Sequence, residues 1–441
     1  MEKLNALAAQ RKFKDAKELM LEYNSADIAA FLEEADGDMV ILFRLLPRDV
    51  AAEVFAYMDS EHCEKLIESI SDNELSDVIN SLYKDDAVDL VEDMPANVVV
   101  RILAKASPET RKQINEILKY PEDSAGSILT TEFVSLDKNL TVSEAFAKIR
   151  REGIKKETIY TCYVTQGRRL IGTVAIKDML FADANECIED LMLTNFVCVK
   201  TGDDKEMVAN LFDKYDLPAI PVVDNEERIV GIVTFDDAID VIREEASEDF
   251  TKMAAITPSD DTYFKTPFWI HAKNRLPWLL LLMFSSTITG LILSRYESAF
   301  SAVPILVTFI PMLMDTGGNC GSQSSTMIIR GLALEEIRFR DIFHVILKEF
   351  SIAMIVSPIL AICNGIRIYL MYHDLTIALI IVFSLIFTVT FAKFIGAVLP
   401  MLAKRCGLDP ALMASPFITT IVDMSSMAIY FALATAMIPT L

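Results

Sequence analysis

Residues 415–424 read SPFITTIVDM and place the carboxylate of Asp423 inside a run that is otherwise apolar. On the 3.6-residue period of a helix, one face of this run carries Pro416, Thr419, Thr420, Asp423 and Ser426. Because Pro416 has no amide hydrogen, we expect the carbonyl of Leu412 to be freed at a slight break in the helix. A charge at membrane depth usually faces a water-filled path or an ionic partner. The stretch therefore predicts a polar path along one helix, or else a packing face on which Asp423 is protonated or paired with Lys393.

The C-terminal part of the chain contains five runs that are apolar enough to cross a membrane, which takes about 20 residues each. They lie at roughly 276–294, 298–316, 342–364, 375–402 and 411–440. Most basic residues of the connecting loops fall on one side of these runs, and only Arg295 and Arg367 lie near the other. The positive-inside rule then predicts a multi-pass membrane protein, with its N-terminal part in the cytosol and its C-terminus outside. The alternative is a buried helical core in a soluble protein.

Charge is distributed very unevenly along the 441 residues, of which 52% are hydrophobic. From Phe268 onward there are 11 Lys and Arg against 9 Asp and Glu, a net charge of +2. Because the whole chain has a net charge of −22, residues 1–267 have a net charge of −24. A large acidic surface suits cations and argues against nucleic acid, whose phosphates need a basic patch. The seven scattered Cys have no metal-type spacing and predict reduced thiols. The first 25 residues lack an apolar signal core, so no secretory leader is expected.

A small and polar stretch, TGGNCGSQSS at 316–325, follows the second apolar run. Gly and Ser let helices approach closely and leave backbone groups available near a cavity. We therefore expect this stretch to border a cavity, with a small-residue packing face as the alternative.

Two internal repeats divide the acidic part. Residues 168–180, RRLIGTVAIKDML, recur 59 positions later as ERIVGIVTFDDAI at 227–239, and each copy reads as strand, glycine turn, strand and an Asp at a helix start. These copies resemble a tandem pair of CBS modules, an α/β regulatory unit. A 24-residue repeat, marked by Leu46-Pro47, Ile70-Ser71 and Met94-Pro95, precedes them. It predicts an all-α superhelical domain of short helices.

Two acidic clusters stand out from these domains. YKDDAVDLVED at 83–93 places Asp85, Asp86 and Asp89 close together on a helix, and DDAIDVIREEASED at 236–249 forms a helix leading toward the membrane. Like charges one helical turn apart repel each other, and a hard divalent cation that bridges carboxylates relieves the repulsion. The clusters therefore predict cation binding, with a solvated acidic face as the alternative.

The order of these parts, with TGGNCGSQSST, IIRGLAL, LKEF and DPALMASPFITTIVDM, resembles the MgtE family of magnesium channels over essentially the whole chain. The resemblance implies an acidic, all-α superhelical N-terminal domain at 1–128 and an α/β tandem CBS domain at 129–248. A connecting helix at 249–267 and an α-helical transmembrane domain with five spans at 268–441 follow. It also implies a homodimer in the lipid of the plasma membrane that takes up Mg²⁺, while ATP binding at the CBS domain is left open.

The resemblance also assigns roles to single residues. Asp423 is expected to hold hydrated Mg²⁺ in a path between two copies of the chain, with the backbone at Thr419 as a second contact and Asp409 near the cytosolic mouth. Cytosolic Mg²⁺ is expected to bind at Asp237, Asp240, Glu245, Glu248, Asp249, Asp86 and Asp89. There it closes the mouth, and when Mg²⁺ is scarce the mutual repulsion of the acidic groups opens it. Mg²⁺ is thus expected to be both substrate and regulator.

Two charges, Asp315 and Lys393, depart from the family pattern, and we expect them to form a compensating pair within the membrane or else to line the path. Three other functions stay open: a secondary transporter that exchanges a divalent cation for Na⁺ or H⁺, a membrane-tethered nucleotide sensor, and an enzyme regulated by CBS modules. The chain has no nucleophile-plus-base pattern and no phosphate-binding glycine loop, which argues against an enzyme.

Overall fold

The computed structural model describes residues 10–35, 38–259, 263–264, 266–296, 303–334, 336–413 and 415–438, together with Leu4 and Leu7. They fall into two compact units, Met1–Arg243 and Glu244–Leu441.

The first unit begins with short helices whose spacing explains the 24-residue repeat. Their bounds are α1 Phe13–Met20, α2 Ser25–Glu34, α3 Met39–Phe43, α4 Arg48–Ala56, α5 Ser60–Ser69, α6 Asp72–Ile79, α7 Lys84–Asp93, α8 Ala96–Lys105 and α9 Pro108–Ile117. Helices α4, α6 and α8 begin 24 residues apart, as do α5, α7 and α9, so each repeat is a helix pair. At the start of α6, the Ser71 hydroxyl accepts from the Glu74 amide while the Glu74 carboxylate accepts from the Ser71 amide.

Two three-stranded sheets follow, one for each copy of the 59-residue repeat. The elements are β1 Ser135–Asp137, α10 Val142–Glu152, β2 Thr161–Gln166, β3 Arg169–Ala175, α11 Ile176–Phe181, α12 Ile188–Leu191, β4 Val199–Lys200, α13 Lys205–Tyr215, β5 Ala219–Val223, β6 Ile229–Thr234 and α14 Phe235–Met253. The orders are β1-β2-β3 and β4-β5-β6, each with a parallel and then an antiparallel pair. The α/β architecture expected for this part is therefore present.

The repeated glycines permit a backbone approach that a side chain would block. At Gly231 an added Cβ would lie 2.6 Å from the carbonyl oxygen of Thr130, and at Gly172 it would lie 3.1 Å from that of Leu193. These approaches allow Thr130 to exchange both backbone hydrogen bonds with Ile232, at 2.8 and 2.9 Å. Each sheet thus gains an extra bridging segment beside its glycine.

The second unit is helical. It contains the end of α14, then α15 Phe268–Arg295, α16 Ile310–Ala333, α17 Ile342–Tyr372, α18 Leu375–Arg405 and α19 Ser415–Met437. Short 3₁₀ turns at Pro304–Phe309, Phe339–Asp341 and Pro410–Met413 precede α16, α17 and α19.

Four stretches of the described residues are long and apolar enough to cross a membrane: Phe268–Arg295, Phe339–Tyr372, Leu375–Arg405 and Pro410–Met437. The predicted span at 298–316 is not among them, and its first residues, 298–302, lie outside the described residues. The helix in this region is α16, which begins at Ile310 and carries the small polar stretch in its middle. The expectation that this stretch follows the span was therefore wrong.

Helix α16 packs closely on α18 and α19 through its small residues. An added Cβ at Gly317 would meet Thr388 of α18 and Val422 of α19, both within 3 Å. The predicted break at Pro416 is absent, because Pro416 is the second residue of α19 and lies in the first turn, where its amide needs no helical partner.

Candidate cation sites

The carboxylate of Asp423 lies against the glycine face of α16. Asp423 is half-buried, and an added Cβ at Gly318 would lie 3.9 Å from its Oδ1 and 3.1 Å from Thr419 Cγ2. The hydroxyls of Thr419 and Thr420 both donate to the carbonyl of Pro416, at 3.0 and 2.9 Å. These hydroxyls are thus satisfied within their own helix, whereas Asp423 carries the one carboxylate of the predicted polar face.

The charges Asp315 and Lys393 do not form the pair that the sequence suggested. Lys393 Nζ lies 3.5 Å from Glu349 Oε2 and donates to Ser324 Oγ at 3.2 Å. The predicted pair of Asp315 and Lys393 is therefore wrong, and so is the alternative in which Lys393 pairs with Asp423. Asp315 is exposed and lies one helical turn before Gly318 on α16.

Helix α16 carries an exposed polar stripe. Exposed side chains recur every three or four residues at Asp315, Asn319, Gln323 and Thr326. Residues at this spacing share one face of a helix. Because Asp315 lies three residues before Gly318, which faces Asp423, the stripe begins near the pore carboxylate predicted from the sequence.

A dense acidic cluster lies within the first unit, where α7 meets the CBS modules. Its predicted members are Asp86, Asp89 and Asp237, and Asp85, Glu132, Glu157 and Asp236 interact electrostatically with them. Lys84 Nζ lies 3.5 Å from Glu132 Oε1 and also donates to the Leu82 carbonyl at 3.0 Å. The carboxylate atoms Glu132 Oε2 and Glu157 Oε2 are buried without a hydrogen-bond partner. The ammonium of Lys84 cannot balance the charge of so many carboxyl groups when they are all ionised.

Burial and mutual repulsion keep these carboxyl groups protonated to an unusually high pH. Burial, and then the charge of Asp86, raise the pKa of Asp85 to about 7. Burial and the charge of Asp85 raise the pKa of Asp237 to about 8, although the Thr234 hydroxyl donates to its carboxylate. Burial and the charges of Asp85 and Asp86 raise the pKa of Glu157 to about 9. A divalent cation would replace these protons and remove the repulsion.

Asp89 behaves differently from its neighbours because the residue keeps an exposed surface. Crowding of its carboxyl group by surrounding atoms, and then the charge of Asp237, raise its pKa to about 8. Solvent screening lowers the energetic weight of this shift below what the pKa alone suggests.

A third group of charges lies in the second unit, where α14 ends. Lys252 Nζ bridges two predicted site residues, at 2.6 Å from Glu248 Oε1 and 2.8 Å from Asp409 Oδ2. Although desolvation opposes it, these two contacts raise the pKa of Lys252. Burial and the charge of Asp409 raise the pKa of Asp249. The structure thus brings Glu248, Asp249 and Asp409 together around a lysine that the sequence analysis did not single out.

Two predicted residues are not shown in either cluster. Asp240 is exposed and pairs with Arg243 at 3.2 Å. Glu245 is half-buried on α14, three and four residues before Glu248 and Asp249.

A further group, Glu33, Asp59 and His62, has its ligand atoms within 4.8 Å of one another. Its contacts are those of a helix start, since Asp59 Oδ1 accepts from the His62 amide and Glu33 accepts from the Asp59 amide, both at 2.8 Å. We interpret this group as a helix cap.

Family models match almost all of these parts. A "divalent cation transporter" model, MgtE, matches residues 310–433, a model of the MgtE intracellular N domain matches 23–123, and the CBS domain model matches 125–185 and 188–244. With its long apolar helices, the chain is a membrane protein with an intracellular N-terminal domain.

Curated relatives and solved structures agree with these models. The magnesium transporter MgtE of Thermus thermophilus is 33% identical over 95% of this chain and 94% of its own length. That of Bacillus subtilis is 31% identical over 92% of each chain. The crystal structure of the soluble part of a magnesium transporter matches with 31% identity and a TM-score of 0.53, over 56% of this chain and 99% of that one. The cytosolic domain of the Mg²⁺ channel MgtE in complex with ATP matches with 31% identity and a TM-score of 0.52, over 55% and 100%.

These matches confirm the resemblance that the sequence motifs indicated, and the family is one of transporters and not of enzymes. The chain belongs to the MgtE family of divalent cation transporters.

Proposed function

We propose that the chain is the subunit of a homodimeric, Mg²⁺-selective channel or transporter of the plasma membrane, which takes up Mg²⁺ and is closed by Mg²⁺ bound on its cytosolic side. The relatives that align over nearly their whole length are named magnesium transporters, which supports Mg²⁺ as the substrate.

The observation that carries this proposal is the half-buried carboxylate of Asp423 beside Gly318, next to the exposed polar stripe of α16. A carboxylate in such a helix marks an ion path more often than an anchor. Mg²⁺ gives up its water reluctantly, so two Asp423 carboxylates, one from each subunit, hold the hydrated ion. The backbone at Thr419 makes a second contact, and the charge of Asp315 adds to the attraction for a cation.

The transmembrane domain has five spans if α16 crosses the membrane in addition to the four apolar helices. Its 24 residues extend about 36 Å at 1.5 Å per residue, against a hydrocarbon core about 30 Å thick. Its polar stripe then faces the path and not lipid, which explains its low hydropathy. The domain limits at 128, 248 and 267 and the superhelical arrangement of the N-terminal helix pairs belong to the same proposal.

Regulation follows from the acidic clusters. Cytosolic Mg²⁺ binds the cluster around Asp86, Asp89 and Asp237, and the group at the end of α14 with Asp409; Asp240 and Glu245 contribute from the same helix. Bound Mg²⁺ cancels the repulsion and favours the closed state, whereas its loss favours the open one. Because a related cytosolic domain is known in complex with ATP, we also propose that ATP binds the CBS domain here.

Flux measurements on the purified full-length protein in liposomes test this function. We expect Mg²⁺ uptake that Ca²⁺ and Mn²⁺ inhibit weakly and that falls when millimolar Mg²⁺ is placed on the cytosolic side. A current carried by Mg²⁺ with no coupled Na⁺ or H⁺ supports a channel over an exchanger. Liposomes that contain the protein but take up no Mg²⁺ would contradict the proposed function.

A further inference from the structure

Three polar side chains meet inside the helical bundle of the second unit. Lys393 Nζ of α18 lies 3.5 Å from Glu349 Oε2 of α17 and donates a 3.2 Å hydrogen bond to Ser324 Oγ of α16. The Ser324 hydroxyl in turn donates to Glu349 Oε2 at 2.6 Å. All three residues are buried, with 6%, 8% and 2% of the surface of Lys393, Glu349 and Ser324 exposed. Three helices are thus joined at one height by a charged network, which we call the clasp.

The clasp lies in a part of α16 that has no large apolar side chains. Leu313, Ile328 and Leu332 are buried nearer the two ends of α16, whereas residues 316–326, TGGNCGSQSST, contain no large apolar side chain that could interlock with the neighbouring helices. Helices in a membrane gain little from hydrophobic association, so polar contacts decide between alternative offsets of such a small-residue face. Gly396 of α18 faces the Gly321 carbonyl, and a Cβ there would lie 3.1 Å from Ser324 Cβ. The clasp therefore lies beside a close approach of the two backbones.

The same helix carries the contact with Asp423. Ser324 follows Gly318 by six residues, which places it about 9 Å further along the axis of α16. A methyl group at Gly318 would already lie 3.1 Å from Thr419 Cγ2, so there is little free space at this contact. A shift or rotation of α16 at Ser324 is transmitted along the helix and changes the space around Asp423.

We propose that Glu349 and Lys393 are positioning residues for the ion path: through Ser324 they hold α16 at the height and rotation at which its glycine face meets Asp423. The proposal rests on the Mg²⁺ transport proposed above. A buried ion pair is not in general the most stable filling of its space, since apolar residues of similar volume often stabilise as well or better. In this bundle, the Glu349–Lys393 ion pair favours one position of α16 over the alternatives.

The test compares full-length variants in detergent and in liposomes. Glu349→Gln and Lys393→Met each leave one buried group without its partner, so we expect both the melting temperature and Mg²⁺ uptake to fall. The apolar double variant Glu349→Leu/Lys393→Met removes both charges. We expect it to melt close to the wild type, yet to need at least about tenfold more Mg²⁺ for half-maximal uptake, as when the support of a metal site is removed. Lys348→Met, at the exposed neighbouring position, is the matched control and is expected to match the wild type in both measurements.

The outcomes separate this inference from the proposed function. If the wild type takes up no Mg²⁺, the proposed function fails and the inference falls with it. If the wild type transports, the inference stands when Mg²⁺ affinity and melting temperature separate in the double variant. It is overturned when the Mg²⁺ requirement is unchanged in the double variant, or when uptake follows melting temperature across the whole series.

Discussion

The acidic cluster of the first unit makes the stability of this unit depend on pH in the absence of divalent cation. Asp85 is buried, and its pKa is raised from the ordinary 3.8 to about 7 by burial and by the charge of Asp86. A carboxyl group with a raised pKa binds its proton more tightly in the folded state than in the unfolded state. The folded state is therefore favoured at low pH, and this advantage is lost as the pH rises from about 4 to about 7. The pKa of Asp237, at about 8, extends the loss to about pH 8.

The size of the effect follows from the shift. For Asp85 a rise of about 3 units, at 1.36 kcal/mol per unit, corresponds to about 4 kcal/mol between pH 4 and pH 8. The Asp85→Asn variant keeps the shape and removes the charge. We expect it to raise the free energy of local unfolding at pH 8 by at most about 4 kcal/mol, and to flatten much of the pH dependence. Mg²⁺ at 100 times its dissociation constant should stabilise the wild type by about 2.7 kcal/mol.

Amide hydrogen exchange of α7, in full-length protein with chelator, measures this directly once intrinsic rates are corrected for pH. Glu74→Gln is the control, because hydrogen bonds from Ser71 and Arg44 lower the pKa of Glu74 to about 2. Its contribution is constant above about pH 5, so this variant is expected to lower protection equally from pH 5 to pH 9. Protection of wild-type α7 that stays level or increases from pH 5 to pH 9 without Mg²⁺ would refute the reasoning.

Three further predictions concern other positions. Lys252→Met removes the cation that bridges two carboxylates at the end of α14. We expect protease to cut α14 of this variant faster than in the wild type at low Mg²⁺, and high Mg²⁺ to protect it. Cleavage at the wild-type rate at both Mg²⁺ concentrations would contradict this prediction. Gly318→Ala places a methyl group 3.1 Å from Thr419 and is expected to lower the free energy of unfolding by about 1–3 kcal/mol and to reduce Mg²⁺ uptake. Gly290→Ala is the control and is expected to change neither, because no atom lies within 4 Å of the added methyl group. Equal effects of the two variants on melting temperature and uptake would contradict the packing argument. Gly231→Ala forces apart two backbones in the second CBS module and should lower its melting temperature by several degrees, as followed by circular dichroism; an unchanged melting temperature counts against the close approach.

The sequence was informative wherever one residue type stood out from a periodic background. Three examples are the lone Asp423, the matching Gly172 and Gly231, and the 24-residue spacing of helix starts. Each depends on residues that are close together in the sequence, so the sequence alone can indicate it. Hydropathy misplaced α16 for a physical reason. Small polar residues form this helix because they fit against two neighbours, whereas hydropathy measures only preference for lipid.

Partners across the fold could not be read from the chain. Glu349 lies on an apolar helix, and only the offset between α17 and α18 makes it the partner of Lys393. Glu132 and Glu157 lie outside both acidic runs, and folding brings them to the cluster around Asp86. Lys252 bridges Glu248 and Asp409, and Asp409 lies far from it along the chain. Each of these contacts joins residues that are distant in sequence, and a single sequence holds no record of such distances.

The central claim is that the charge of Asp423 lies in the ion path, and Mg²⁺ current through a planar bilayer tests it most directly. Asp423→Asn keeps the shape of the side chain and removes its charge. Ser425→Ala, two residues along α19, is the control, because it removes only a hydroxyl that donates to the Ile421 carbonyl at 2.8 Å. With both variants folded and incorporated equally, we predict that Asp423→Asn abolishes the Mg²⁺ current and that Ser425→Ala retains it. A wild-type Mg²⁺ current through the Asp423→Asn variant would contradict the account.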